Sequence, residues 1–210
     1  MIRLDYDALR AAPPASDPFA HVVVANFVRP DALGGVVDDL PALAQGGSFP
    51  VGGLRLGARA RALMAELEGP ALRQAIAEKF GLDLAGAPTM LTLRGRSRDR
   101  DGKIHTDSIA KRVTVLLYLN PHTAAWANRE GCLRLLRSAT DIEDYAVEVP
   151  PVDGTLLVFP NGPTTWHGHK RHIGQRYVVQ LNYMARDAAA RSELRRHRLS
   201  AFLKRFTVAA

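Results

Sequence analysis

Residues 105–120 read His-Thr-Asp-Ser-Ile-Ala-Lys-Arg-Val-Thr-Val-Leu-Leu-Tyr-Leu-Asn, and the second half of this stretch decides the fold. Successive side chains of a strand point to opposite faces. Across 112–119, Thr114, Leu116 and Tyr118 therefore share one face, and Val113, Val115, Leu117 and Leu119 share the other. One face is mixed and the other oily, which makes this the strongest strand of the chain. Just ahead of it His105 and Asp107 stand at i and i+2, so in extended backbone both point to the same side.

Working outward, short apolar runs bounded by turn residues predict further strands at 90–94, 132–136, 145–149, 155–159 and 177–184. Asp153-Gly154 and Asn161-Gly162 mark turns between them. Strands of this length and spacing suit a sandwich or barrel better than alternating βαβ units. On the last strand the same parity puts Arg176, Val178, Gln180 and Asn182 on one face.

The half that precedes these strands is mainly helical. Residues 1–20, with Pro13, Pro14 and Pro18, read as an irregular lead-in to a β-branched strand at 21–28. Pro30 opens one helix, and Ala60, Leu63, Met64 and Leu67 recur at helical spacing before Gly69-Pro70 stops a second. A third starts at Pro70, carries Leu72, Ile76 and Phe80 on one face, and leaves through Gly81. The tail, 188–206, reads as an amphipathic basic helix with Leu199, Phe202, Leu203 and Phe206 on one stripe. The expected class is α+β, mainly β, in one domain: 1–87 a strand and supporting helices, 88–184 the β core, 185–210 the C-terminal helix.

The chain has 210 residues, enough for a sizeable core. Its 28 Lys and Arg exceed its 21 Asp and Glu, giving +7, and such a balance favours anionic partners without choosing among them. Most of the excess sits in the tail, on Arg191, Arg195, Arg196, Arg198, Lys204 and Arg205. Arg94, Arg96, Arg98, Arg100 and Lys103 would extend a nucleic-acid surface, but Asp99 and Asp101 interrupt them, so nucleic acid is a disfavoured partner. Cys132 is the one cysteine, which excludes an intrachain disulfide or a multi-thiolate metal site. The acids near Met1 do not suit a signal peptide, and no apolar run approaches a membrane span. We therefore expect a cytoplasmic protein with no membrane partner.

An imidazole and a carboxylate at i and i+2 leave one ligand missing from the 2-His-1-carboxylate set that holds non-haem Fe(II) with positions open for oxygen and cosubstrate. His167 lies 60 residues past Asp107, and in a barrel strands distant in sequence face one another. His169 and His172 compete for the same place. Arg176, nine residues past His167, starts the next strand, where its guanidinium can grip a carboxylate in two-pronged fashion.

On these residues, together with Arg112–Asn120, Gly131-Cys-Leu-Arg-Leu135 and Trp166-His167, residues 88–184 resemble the 2-oxoglutarate and Fe(II) dependent dioxygenases, in their prolyl-hydroxylase-like branch. The resemblance implies a double-stranded β-helix (jelly-roll) core. It implies that His105, Asp107 and His167 hold Fe(II), and that Arg176 and Tyr118, with Thr114 beside them, bind 2-oxoglutarate. O2 would be the second cosubstrate and ascorbate a candidate reductant. The activity implied is decarboxylation of 2-oxoglutarate to succinate and CO2, coupled to hydroxylation of a prolyl or other protein residue or a small metabolite. The offset from His167 to Arg176 matches the family, whereas that from His169 does not.

Two positions depart from the family pattern: Glu130-Gly131 replaces a paired glycine, and Arg94 stands where a tyrosine is common. Arg94, Trp126, Gln180 and Asn182 are the substrate candidates. The rival reading is a non-enzymatic jelly-roll that binds a metal and a small ligand, or an interaction module that uses the basic helix.

Overall fold

The computed structural model describes residues 4–123, 126 and 128–207, with the side chains of 198 and 201–207 outside the description. Its centre is the strand read from 112–119, here β4 (Lys111–Tyr118). Numbered in chain order, the others are β1 (Val22–Val24), β2 (Phe49–Pro50), β3 (Thr89–Ser97), β5 (Leu133–Leu136), β6 (Tyr145–Val149), β7 (Leu156–Pro160), β8 (His167–His169) and β9 (Gly174–Met184). Six of them form a sheet in the order β1-β7-β4-β9-β3-β2, and β6-β5-β8 form a second. Every pairing between these strands is antiparallel. The two sheets are the layers of a double-stranded β-helix.

The two faces of β4 account for both layers of packing. Val113, Val115 and Leu117 are at most 1% exposed and join Leu156, Val158, Val179, Leu181 and Tyr183 in a core on the helical side. That core includes Leu63, Met64 and Leu67 of α3 (Ala58–Leu67) and Leu72 and Ile76 of α4 (Pro70–Phe80). Leu116 and Tyr118 face the other way and pack with Leu133, Leu135, Leu157, Phe159 and Val178 between the sheets. The mixed face of the sequence is thus the inside of the β-helix. At about 25 cal/mol per Å² of apolar surface, the helical-side core dominates the stabilisation, so the inner face is free to carry polar groups.

The helices expected at Pro30 and Pro70 start at those residues, and Gly81 leaves α4 in the left-handed conformation at φ 62°. Elsewhere the structure differs from expectation. The lead-in holds a helix, α1 (Tyr6–Ala11), capped by the Asp5 side chain accepting from the Ala8 N–H at 2.8 Å and anchored by Leu9 at 0% exposure. Strand 21–28 shrinks to β1 because Asn26 turns the chain at φ 53° and sends Phe27 into the helical core. β3 is longer than 90–94, with a bulge between Arg94 and Arg96. The short strands β2 and β8 are held by pairing to β3 and to β5.

The tail is helical as expected, α5 (Ala188–Thr207), and Leu199 is the one member of its expected apolar stripe whose side chain is described. Ala190 is buried with Ala110 and Met184, and Leu194 packs against them, whereas Leu199 is 61% exposed. The stripe members Phe202, Leu203 and Phe206 lie outside the described side chains. Among the described residues no helix is long and apolar enough to cross a membrane.

Candidate active site

His105 and His167 meet through backbone pairing. The His105 N–H donates to the His167 carbonyl and the His167 N–H to the His105 carbonyl, each at 3.0 Å. This isolated antiparallel bridge extends the smaller sheet past β8 and sets the two imidazole rings 4.4 Å apart. Asp107, two residues on, shares their side. Ligand atoms of His105, Asp107 and His167 all lie within 4.8 Å of one another, and among the described residues this is the one such cluster of potential metal ligands.

The hydrogen bonds fix what each group offers. Nδ1 of His105 lies 2.8 Å from the Lys103 carbonyl and Nδ1 of His167 lies 2.9 Å from the Thr165 carbonyl. A carbonyl only accepts, so Nδ1 carries a proton in both rings and Nε2 is the atom left to coordinate a metal. Burial, assisted by the neighbouring His105, lowers the His167 pKa to about 4, so this ring is neutral and ready to coordinate. Burial pushes the Asp107 carboxyl up, but the Lys111 ammonium, His167 and Thr114 outweigh it and hold the group below its ordinary range as a carboxylate. Two imidazoles with free Nε2 atoms and one ionised carboxylate fit a divalent transition metal.

Asp107 is clamped on both oxygens. Lys111 Nζ donates to Oδ1 at 2.7 Å and Thr114 Oγ1 to Oδ2 at 2.5 Å. Thr114 in turn accepts from the side-chain amides of Asn161 and Asn182, each at 2.9 Å. Asn182 is the register partner of Thr114 across β4 and β9 and is 1% exposed. It therefore supports the carboxylate from behind and does not line the cavity. Ordering by such outer groups sets the orientation of metal ligands.

Beside the triad lies Arg176, 5% exposed, whose Nε donates to the Gly131 carbonyl at 2.9 Å. Gly131 has φ 76°, and a Cβ there would come within 2.9 Å of His172, so this loop position requires glycine although Glu130 precedes it. The Arg176 guanidinium also sits 5.6 Å from the Tyr118 ring centre. Burial lowers the Arg176 pKa despite the helping Tyr118 oxygen, and burial pushes the Tyr118 hydroxyl up to about 12. Among the described residues no carboxylate pairs with Arg176, and the buried Tyr118 hydroxyl has no hydrogen-bond partner. A buried cation without an acid and a buried hydroxyl without a hydrogen-bond partner are costly, which makes them a prepared place for an anion.

Triad, Arg176 and Tyr118 open into one cavity of about 470 Å³, within the range of small-molecule sites. Thr114, Gln180 and Arg94 also line it. Trp126 does not. Its ring stacks on His172 at 4.8 Å between centres, so it anchors the loop instead of walling the cavity. His169 does line it, yet its Nδ1 is engaged by the Lys170 carbonyl and its ring packs on Gly102, apart from the ligand cluster.

Sequence reasoning missed Lys111 and Asn161, which complete the support of Asp107. The signal for Lys111 was weak. A lysine at the start of a strand reads as a solvated cation, and only the turn between Asp107 and β4 brings it onto the carboxylate.

The sequence and fold have counterparts among known proteins. Residues 95–184 match the family model described as the 2OG-Fe(II) oxygenase superfamily. Among solved structures, a prolyl-4-hydroxylase from Pseudomonas putida shares 20% identity over 86% of this chain and 91% of its own, with a TM-score of 0.59. Prolyl 4-hydroxylase from Phytophthora capsici gives 17% identity, 96% and 77% coverage and a TM-score of 0.61. A prolyl hydroxylase from Trichoplax adhaerens, solved with a hypoxia inducible factor peptide fragment, gives 19%, 90% and 90%, and 0.50. No curated protein matches the chain. The matched stretch, residues 95–184, carries the triad, Tyr118 and Arg176, and the 2OG-Fe(II) oxygenase superfamily that it resembles implies Fe(II), 2-oxoglutarate and O2.

Proposed function

We propose that this protein is a 2-oxoglutarate dependent hydroxylase in which His105, Asp107 and His167 hold Fe(II) and Arg176 with Tyr118 holds the distal carboxylate of 2-oxoglutarate. The observation that carries the assignment is the pairing of a buried guanidinium that lacks an acid with a buried hydroxyl that lacks a partner, on the cavity wall beside the ligand cluster. A cosubstrate carboxylate satisfies both at once. Charge-assisted bonds of this kind are roughly twice as strong as neutral ones.

When bound, iron supplies the oxygen activation by which 2-oxoglutarate is decarboxylated to succinate and CO2 and a substrate C–H becomes C–OH. The chain's own contribution is geometry. Lys111 and Thr114 keep the Asp107 carboxylate ionised and aimed, and the carbonyls of Lys103 and Thr165 keep both imidazoles turned with Nε2 inward. Leu116, Leu133 and Val178 line the cavity with apolar surface and limit water around the reacting carbon. Gln180, across from Leu116 in the sheet, faces the cavity as a substrate contact. Thr114 acts through Asp107, to which it donates its hydroxyl proton.

Aerobic incubation with Fe(II) and 2-oxoglutarate should yield succinate with an equal amount of CO2. A chelator should stop the reaction and added Fe(II) restore it. Succinate that forms at the same rate in chelated protein would reject the proposal.

A further inference from the structure

The cavity carries more positive charge than one dianionic cosubstrate uses. Arg94, Arg100, Lys103, Lys111 and Arg176 line it, against the carboxylates of Asp101 and Asp107. Both carboxylates are already engaged. Lys111 and Thr114 hold Asp107, while Arg98 donates to Asp101 from its backbone N–H at 2.8 Å, from Nε at 3.1 Å and from Nη2 at 2.9 Å.

Arg94 is differently placed. Its Nε is buried and has no hydrogen-bond partner, and Asp101, the acid that feels its field, has given its oxygens to Arg98. Register explains where its side chain stands: Val178 of β9 pairs with Arg94 of β3 on one side and with Tyr118 of β4 on the other. Strands lie about 4.8 Å apart, so the Arg94 and Tyr118 backbones are separated by about 10 Å, with Arg176 and Gln180 flanking Val178 between them. Arg94 thus lines the cavity from a strand two removed from that of Tyr118, and its charge reaches Arg176, whose pKa it helps burial to lower. A guanidinium that is partly desolvated and unpaired lacks the compensation that such groups ordinarily have.

We propose that Arg94 is a second anion anchor, and that the substrate presents a carboxylate to it in the cavity. The inference rests on the oxygenase reading above, because it assigns the Arg176 side to 2-oxoglutarate and leaves the Arg94 side to substrate. The carboxylate can be the free end of a small acid or the side chain of an acidic residue, and matched probes separate these sources.

The test loads the protein with Mn(II), which fills the metal site without turnover, and with saturating 2-oxoglutarate, then titrates two acid–amide pairs by calorimetry. N-acetyl-glutamate α-amide against N-acetyl-glutamine α-amide reports an acidic side chain; N-acetyl-leucine against its amide reports a free carboxyl end. The acid of at least one pair should bind about tenfold or more tightly than its amide, as expected for a charged hydrogen bond. Arg94→Gln should erase that difference, and the responding pair names the source. The proposal is overturned if neither pair discriminates, if discrimination survives Arg94→Gln, or if Arg94→Gln weakens 2-oxoglutarate as much as replacement of Arg176 does. An Arg94-dependent preference in a protein that shows no metal-dependent 2-oxoglutarate binding would leave the anchor standing and reject the oxygenase reading instead.

Discussion

In a His105→Ala, Asp107→Asn double variant, succinate formation from 2-oxoglutarate should fall to the level of metal-free protein, and the stoichiometric divalent metal bound by the wild type should be lost. The choice of substitutions follows from the surroundings. His105 is exposed, so its truncation removes a ligand with little cost to the core. Asp107 is different, because its side chain and that of Lys111 are 6% and 13% exposed and pair at 2.7 Å. Alanine there would strand a buried ammonium, which typically costs about 3–5 kcal/mol, whereas asparagine keeps an acceptor for Lys111 and lacks only the charge that metal binding needs. A cooperative unfolding transition near that of wild-type apoprotein would show that activity was lost through the metal site. Retained succinate formation in this folded variant would remove the triad from the mechanism.

Replacing Arg176 should separate cosubstrate binding from folding. Arg176→Met keeps the length and apolar stem of the side chain but removes a buried guanidinium that donates to the Gly131 carbonyl. Without cosubstrate that guanidinium is desolvated and lacks an acid, so its loss offsets the orphaned Gly131 carbonyl, which costs about 1–3 kcal/mol. Apoprotein stability should therefore change little. With 2-oxoglutarate the outcome reverses, since truncating one partner of a buried charge pair costs about 2–5 kcal/mol or more, and the apparent affinity should drop about a hundredfold. The thermal shift that saturating 2-oxoglutarate gives the wild type should disappear accordingly. A large loss of apoprotein stability with unchanged cosubstrate affinity would make Arg176 a structural residue.

Much of this was legible in the sequence because alternation is a strong constraint. On β4 the parity of Thr114, Leu116 and Tyr118 against Val113, Val115 and Leu117 separated the inner face from the helical core, and register then carried Arg176, Val178 and Gln180 to the same interior. His105 and Asp107 were legible because the i, i+2 relation needs no tertiary information.

What the sequence hid depends on pairing with distant partners. β8 is a His-Gly-His tripeptide with no β-branched residue, and it is a strand because Leu133, Arg134 and Leu135 of β5 pair with it. Asn182 sits on the interior parity of β9 as expected, but Thr114 intercepts its amide before it reaches the cavity. In sequence Trp126 reads equally as a lining of the substrate path or an anchor of its loop, and only the distant ring of His172, 46 residues away, makes it the anchor. Net charge pointed to an anionic partner and to the C-terminal helix; the cavity concentrates five cations of its own around the triad, and these bear more directly on the ligand.

The most direct test of the central claim is an anaerobic titration of the protein with Fe(II) and 2-oxoglutarate, followed by visible absorption. Direct coordination of the cosubstrate to iron held by His105, Asp107 and His167 should produce a metal-to-ligand charge-transfer band that saturates at one iron per chain and is absent from the His105→Ala, Asp107→Asn variant. A wild-type protein that binds both components without developing the band, or a band of equal strength in that variant, would contradict the account.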